Sequence, residues 1–253
     1  MENKQSITGL IITYNEEKNI REVLGCFDFC DEIIIVDSYS TDKTLEIAKE
    51  FSNVKIIQNK FEDFTKQRNL ALENANNDWI LFLDGDERIT PPLRKEIIET
   101  VKKPDAKDAY YFYRKFFFEN RPINYSGTQN DKNFRLFRKS KAKYIVDKKV
   151  HETLEVNGTI GVLKNKLLHY SVSDYESYKH KMLRYGKLKG IELAEKGKKY
   201  NTITQFSKTF FNFFKTYILK LGILDGEKGL ELCYLQSLYV FETYRALKKE
   251  NKK

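Results

Sequence analysis

The 253-residue chain has three cysteines, Cys26, Cys30 and Cys233, with no Cys-x-x-Cys pair and no histidine at zinc spacing. So small and odd a set excludes a disulfide framework and fits buried thiols in a reducing compartment. No apolar run reaches the length of a membrane span. Ile7 to Ile12 is too short for a secretory leader and lacks a basic flank and a cleavage site. These absences predict a cytoplasmic protein. Both common phosphate loops, Gly-x-Gly-x-x-Gly and Gly-x-x-x-x-Gly-Lys-Ser/Thr, are also missing, which argues against a dinucleotide enzyme or a P-loop ATPase. There is no internal repeat, low-complexity segment or flexible linker beyond a short lysine-rich tail.

What is present is charge, divided unevenly. The formal net charge is +9, but residues 1–104 hold 14 Lys/Arg against 20 Asp/Glu, whereas residues 105–253 hold 31 against 16. The basic part suits nucleic acid, anionic lipid head groups or a phosphorylated glycan, and charge alone does not choose.

The first hundred residues alternate strands and helices. Ile7–Ile12, Glu32–Asp37, Val54–Gln58 and Trp79–Leu83 read as buried strands. Between them, helices run through Ile20–Phe27, Leu45–Phe51 and Lys66–Ala71, and another opens at Thr90-Pro91. Asn15 and Ser40 or Thr41 read as helix caps. Such alternation predicts an α/β fold with a mostly parallel sheet and a ligand at the carboxyl ends of its strands. Those ends carry Thr13, Tyr14, Glu16, Asp37, Ser38, Ser40, Asp84 and Asp86. A carboxylate such as Asp37 can accept from a base N–H, Tyr14 can stack on the base, and Arg68 can meet a phosphate. Asp84-Gly85-Asp86 sets two carboxylates one residue apart, tolerable when a divalent cation lies between them and a diphosphate. Gly85 is read as the sharp turn between them.

In order and spacing, Thr13-Tyr14-Asn15-Glu16-Glu17, Val36-Asp37-Ser38-Tyr39-Ser40-Thr41-Asp42, Gln67-Arg68-Asn69 and Leu83-Asp84-Gly85-Asp86-Glu87 resemble the successive motifs of family 2 inverting glycosyltransferases. The resemblance implies a GT-A type, Rossmann-like domain and a nucleotide-sugar donor such as a UDP-hexose. By carry-over, Thr13, Tyr14, Glu16 and Asp37 hold the nucleoside with Arg68 nearby, Asp84 approaches the ribose and metal, and Asp86 binds Mg²⁺ or Mn²⁺. One departure is Ser38-Tyr39-Ser40 where many members have Asp-Gly-Ser, so the loop after Asp37 is expected to differ in shape.

From Ala109 the pattern turns to aromatic strands, Tyr110–Tyr113 and Phe116–Phe118, followed by Asn133–Arg138 and by Val150–Val156 with Asn157-Gly158 as a hairpin turn. Alternation makes Phe134, Leu136 and Ile145 core and sets Arg135 and Arg138 on the other face or at the rim. Inverting transfer needs a carboxylate to take the proton of the attacking hydroxyl. Glu152, beside His151, is the first candidate and Asp131 the second. Asp131–Arg138, Val150-His151-Glu152, Leu168-His169-Tyr170 and Tyr217–Gly229 resemble the lipopolysaccharide-core glucosyltransferase branch, in which Arg135 counts among the substrate-binding residues. His169, lacking a second metal ligand at fixed spacing, reads as structural.

Ser173-Asp174-Tyr175-Glu176 has the form of a capping box that opens a long basic helix. Phe206, Phe210, Phe213, Phe214, Tyr217, Leu221 and Leu224 then share one helical face, opposite Lys208, Asn212 and Lys215. After a loop at 225–229 a second amphipathic helix runs to Lys248. Such a face either packs on its own domain or rests in an anionic membrane interface. The expected organisation is residues 1–172 as a glycosyltransferase domain, with a nucleotide-binding half at 1–104 and an acceptor-side half at 105–172 that carries a small antiparallel extension. A basic amphipathic helical region at 173–253 follows. The leading function is transfer of a hexose, glucose from UDP-glucose, to a lipid-linked glycan of the lipopolysaccharide inner core by an enzyme peripheral to the inner face of the cytoplasmic membrane. A sugar nucleotidyltransferase and a nucleic-acid-binding protein are the competing readings. The first would need a basic or Gly-rich triphosphate loop where residues 13–17 are acidic, and the second lacks an RNA-binding motif, so no nucleic-acid partner is expected.

Overall fold

The computed structural model of the protein describes residues 5–148 and 151–252. The chain divides into two compact units, Met1–Arg114 with Lys132–His169, and Lys115–Asp131 with Tyr170–Lys253.

The first unit opens with β1 (Ile7–Thr13), α1 (Ile20–Gly25), β2 (Glu32–Asp37), α2 (Thr44–Ala48) and β3 (Val54–Gln58). It continues through α3 (Phe64–Glu73), β4 (Trp79–Phe82), β5 (Glu87–Arg88) and α4 (Pro91–Val101). Next come β6 (Ala109–Phe118), of which only the first part belongs here, β7 (Arg121–Ile123) of the second unit, and β8 (Lys132–Arg138). The remaining strands are β9 (Ala142–Lys148), β10 (His151–Val156), β11 (Ile160–Val162) and β12 (Leu167–Val172). Strands β3, β2, β1 and β4 pair in parallel in that order, and β8 and then β6 extend the sheet antiparallel. The α/β expectation holds.

Apolar runs make these strands because both faces of the sheet are covered. Ile33 and Ile35 are buried on one face with Ile11, Leu81 and Phe27, and Ile34 and Val36 on the other with Leu10, Ile80 and Phe82. Each such side chain contributes about 1.5–3 kcal/mol of burial. The same double cover corrects the alternation read in β8, where Arg135 is buried along with Leu136 and Phe137.

Several local readings change. Asn15 caps no helix: it has φ +55° and its Oδ1 accepts from Thr41 N at 2.8 Å. Neither Ser40 nor Thr41 caps α2, because Ser40 Oγ and N both donate to Asp37. Asn157-Gly158 closes no hairpin. β10 pairs back with β9, whereas β11 joins β6 in parallel, drawn there by Asp108 Oδ2 accepting from Thr159 N at 2.7 Å and Oγ1 at 2.9 Å. Val150 lies outside the described residues.

The second unit is helical, with α5 (Tyr175–Glu195), α6 (Thr202–Phe214) and α7 (Gly226–Glu250). The expected basic helix is α5, but Asp174 rather than Ser173 caps it, accepting from Ser177 N at 2.8 Å. The stretch 225–229 is not a loop, since from Gly226 on it is the start of α7. Asp225, one residue before it, accepts from Asn124 N and Tyr125 N, both at 2.9 Å, and so pins that segment. α5 and α7 meet backbone to backbone at two glycines. A Cβ on Gly186 would stand 2.7 Å from Tyr239 O, and one on Gly190 2.4 Å from Thr243 O.

α6 packs on α7 through its polar side. Gln205 Nε2 donates to Phe241 O at 3.1 Å, Asn212 Nδ2 donates to Ser237 Oγ at 3.3 Å, and Thr216 is buried beyond the helix end. This turns the aromatic side outward, and Phe206, Phe210 and Phe214 are 59%, 71% and 40% exposed. Of the two readings of this face, packing on its own unit holds only in part: Phe206 meets the Phe241 ring of α7 edge to face with centres 6.0 Å apart, while Phe210 remains largely open to solvent. No helix among the described residues is long and apolar enough to cross a membrane.

Candidate active site

The carboxyl ends of β1 and β2 lie in register, Thr13 against Asp37. Asp37 is wholly buried, and its carboxylate accepts from Thr13 Oγ1 at 3.0 Å, Ser40 Oγ at 2.5 Å and Ser40 N at 2.9 Å. The two loops are further tied by Glu16 N, which donates to Thr44 Oγ1 at 2.7 Å. Tyr39, where the resemblance expects glycine, keeps a left-handed φ of +61°, so the loop accepts a conformation that costs a side-chain-bearing residue about 1–2 kcal/mol. Tyr14 and Tyr39 are both more than half exposed, which leaves their rings open for stacking. Replacing Asp37 with alanine strands the Thr13 hydroxyl and the Ser40 amide. Urea unfolding is expected to show a loss of about 1–3 kcal/mol, and a loss within error would mean that Asp37 is not the tie between these loops.

After β4, Leu83 N donates to Leu10 O at 3.0 Å and the chain turns through Asp84-Gly85-Asp86 into β5. Gly85 does not have the positive φ expected of a glycine turn. Its smallness matters instead, because a Cβ there would meet Glu16 Oε2 at 3.0 Å. Burial raises the pKa of Glu16; its hydrogen bond from Asn19 lowers it in part, and the charge of Asp86 raises it further.

Asp84 is held by two arginines. Arg68 Nη2 donates to Oδ1 at 2.8 Å, and Arg135 Nη2 donates to Oδ2. Burial alone would raise its pKa, but Arg135 and then Arg68 outweigh it and keep the carboxyl well below the usual range. Arg135 also grips the fully buried Glu87 in a two-point pair, Nε to Oε2 at 2.7 Å and Nη2 to Oε1 at 2.8 Å, and Arg114 Nη1 adds a bond to Oε1 at 3.3 Å. Arg68 is not a surface cation. It is buried, with its guanidinium 4.5 Å from the Phe82 ring centre and 5.5 Å from that of Tyr144.

Asp86 is the more open acid, its side chain 37% exposed, and Oδ2 stands 3.3 Å from His169 Nε2. Burial pushes its pKa up, but the His169 hydrogen bond and charge bring it below the ordinary value. The pairing of β12 with β5, His169 opposite Glu87, delivers this imidazole. No spacing rule could have found it, because its partner lies 83 positions earlier in the sequence. Arg114 was missed for the same reason, and Glu87, though part of the Leu83–Glu87 motif, gave no sign that Arg135 and Arg114 would pair with it. An open carboxylate beside a buried imidazole nitrogen fits a divalent ion of the Mn²⁺ type, and the carboxylate suits Mg²⁺ equally. Among the described residues no cluster of three or more His, Cys, Asp or Glu could hold a metal ion. An ion here would draw its other ligands from a diphosphate and water.

Beside Asp84 opens a cleft of about 420 Å³, lined by Arg68, Arg135, Tyr111, Lys132, Tyr144 and Thr153 among others. Tyr111 stacks on Phe134 with ring centres 3.7 Å apart, and Lys132 Nζ lies 4.6 Å from the Tyr111 centre. Glu152 stands on β10, in register with Val146 and immediately before Thr153 and Leu154 of the cleft wall. Asp131 belongs to the second unit, where its N donates to Thr128 O at 3.1 Å.

The model of the family described as glycosyl transferase family 2 matches residues 9–161. A lipopolysaccharide core biosynthesis glycosyltransferase, LpsC, of Rhizobium meliloti (strain 1021) is 26% identical over 228 residues, covering 88% of this chain and 83% of that protein. An uncharacterized glycosyltransferase of Rickettsia typhi is 28% identical over 241 residues, covering 89% and 80%. Among solved structures, S. aureus TarS 1–349 in complex with UDP superposes with a TM-score of 0.50 at 18% identity, over 98% of this chain and 91% of that one.

Proposed function

The chain belongs to glycosyl transferase family 2, and from that premise we propose an inverting, metal-dependent hexosyltransferase that moves glucose from UDP-glucose to a lipid-linked acceptor, the inner core of a lipopolysaccharide. Such an acceptor puts the enzyme against the inner face of the cytoplasmic membrane. That it is a glycosyltransferase sets aside the nucleotidyltransferase and nucleic-acid readings.

The observation that carries the proposal is the rim of β1, β2 and β4. There an accessible Asp86 is paired with His169 beside the arginine-held Asp84, and Tyr14, after β1 on the same rim, has an exposed ring. In this reading Tyr14 stacks on the uracil, and Thr13, Glu16 and Asp37 fix the loops that flank it. Asp86 and His169 hold Mn²⁺ or Mg²⁺, which when bound neutralises the charge of the departing diphosphate. Arg68 and Arg135 orient Asp84 toward the ribose and lend positive charge to the cleft where the acceptor sits. Glu152 takes the proton of the acceptor hydroxyl as that oxygen attacks the anomeric carbon from the face opposite UDP. Asp131 is the second candidate for this base.

Glu152→Gln keeps the shape and removes the basic oxygen. Turnover with UDP-glucose and extracted core acceptor is expected to fall about 10²–10⁴-fold, while UDP affinity holds within about twofold, the pattern of a group acting only in the transition state. Full activity in Glu152→Gln would transfer the role to Asp131, which the matching Asp131→Asn variant then tests.

A further inference from the structure

We propose that α6 and the turns after it form an interfacial anchor that lies in the plane of an anionic lipid bilayer. The inference extends the proposed reading of a lipid-linked acceptor by naming the surface and the lipid chemistry.

Three observations carry it. First, the helix is mounted inside out. Gln205, Asn212 and Thr216 face α7, and the apolar side is turned to solvent. Second, the apolar stripe continues beyond the helix. Ile203 at 79% exposure, Phe206, Phe210 and Phe214 are joined by Leu219 at 61% and Leu224 at 62%. A π-helical turn over Lys215–Leu219, closed by Lys220 N donating to Lys215 O at 2.8 Å, carries the chain from helix to stripe end. So long an exposed apolar strip marks a surface that is covered in use. Third, the charge selects the cover. From Lys196 to Leu224 there are six lysines and no acid. Lys208 and Lys215, both exposed, lie on the side of α6 away from the stripe, with Lys208 Nζ 5.5 Å from the centre of the Tyr244 ring of α7, so the positive charge that attracts an anionic surface surrounds the apolar face rather than interrupting it. A second copy would carry the same unbalanced positive charge, which opposes self-association, whereas an anionic bilayer neutralises it.

The test uses the full chain and vesicles free of glycan and nucleotide, so it does not depend on the donor or the acceptor. Flotation is expected to recover the protein with phosphatidylglycerol-containing vesicles at an affinity at least ~10-fold above that for pure phosphatidylcholine, and salt should weaken it. The combined variant Phe206→Ser, Phe210→Ser, Phe214→Ser is expected to abolish recovery while its circular dichroism is unchanged. A single Phe210→Trp variant keeps the question answerable if that variant misfolds. The natural Trp79 is buried, so a blue shift and quenching by brominated lipid report on position 210. Absence of the blue shift in Phe210→Trp, indifference to anionic lipid, or a dimer in light scattering that the serine variant dissociates would each overturn the proposal. Lost UDP binding with vesicle binding retained would count against the donor reading alone, and the reverse result against the anchor alone.

Discussion

Titration of the chain with UDP is expected to release heat only when Mn²⁺ or Mg²⁺ is present, and Asp86→Ala is expected to lower that affinity by at least about 100-fold. Asp86 is the acid free to take an ion, since arginines occupy Asp84 on both oxygens. Its partner His169 provides an internal control. His169→Ala leaves the carboxylate in place and should cost less, about 10- to 100-fold. EDTA should bring the wild type to the level of Asp86→Ala and leave that variant unchanged. UDP binding that is indifferent to both chelator and substitution would keep the nucleotide pocket but remove the ion from it, and with the ion the role assigned to Asp86.

Arg135→Ala is expected to be the most destabilising single change in the first unit, by about 3–5 kcal/mol. Removing this guanidinium leaves the wholly buried Glu87 without its two-point partner and Asp84 with one arginine fewer. The loss is a large share of a typical folding free energy of about 5–15 kcal/mol. Urea unfolding should therefore move to a much lower midpoint. Arg135→Lys should recover only part of it, because an ammonium cannot fork across two oxygens. A loss below about 1 kcal/mol would mean that solvent reaches the pair and that Arg135 is dispensable to the fold.

The parallel part of the sheet was legible because its strands are apolar on both faces, and runs such as Ile33–Val36 have no other stable home. The rim residues were legible as a set of motifs, but the bonds that hold them were not. Asp37 reads as a nucleobase contact from the chain alone, and the fold adds that its carboxylate accepts from Thr13 and Ser40. Arg135 reads as lying on the other face or at the rim because alternation assumes one wet face, and β8 has none at that point. His169 was invisible as a site residue, since contact with Asp86 depends on strand pairing rather than spacing. Asn157-Gly158 carried a correct turn signal with the wrong consequence, because Asp108, a long-range partner, decides where the following strand goes. For α6 the amphipathic pattern was plain and its sense was not. A helical wheel tells which side is apolar, but not which side faces in.

The two glycines of α5 give the helical unit a mechanical property. With Gly186 and Gly190 seated against the backbone of α7 at Tyr239 and Thr243, neither helix can slide by a turn without driving a side chain into a carbonyl. α6 is fastened to that same α7 through Gln205 and Asn212. A lateral pull on the exposed face of α6 is therefore borne by all three helices together, as by a latch rather than a sliding bearing.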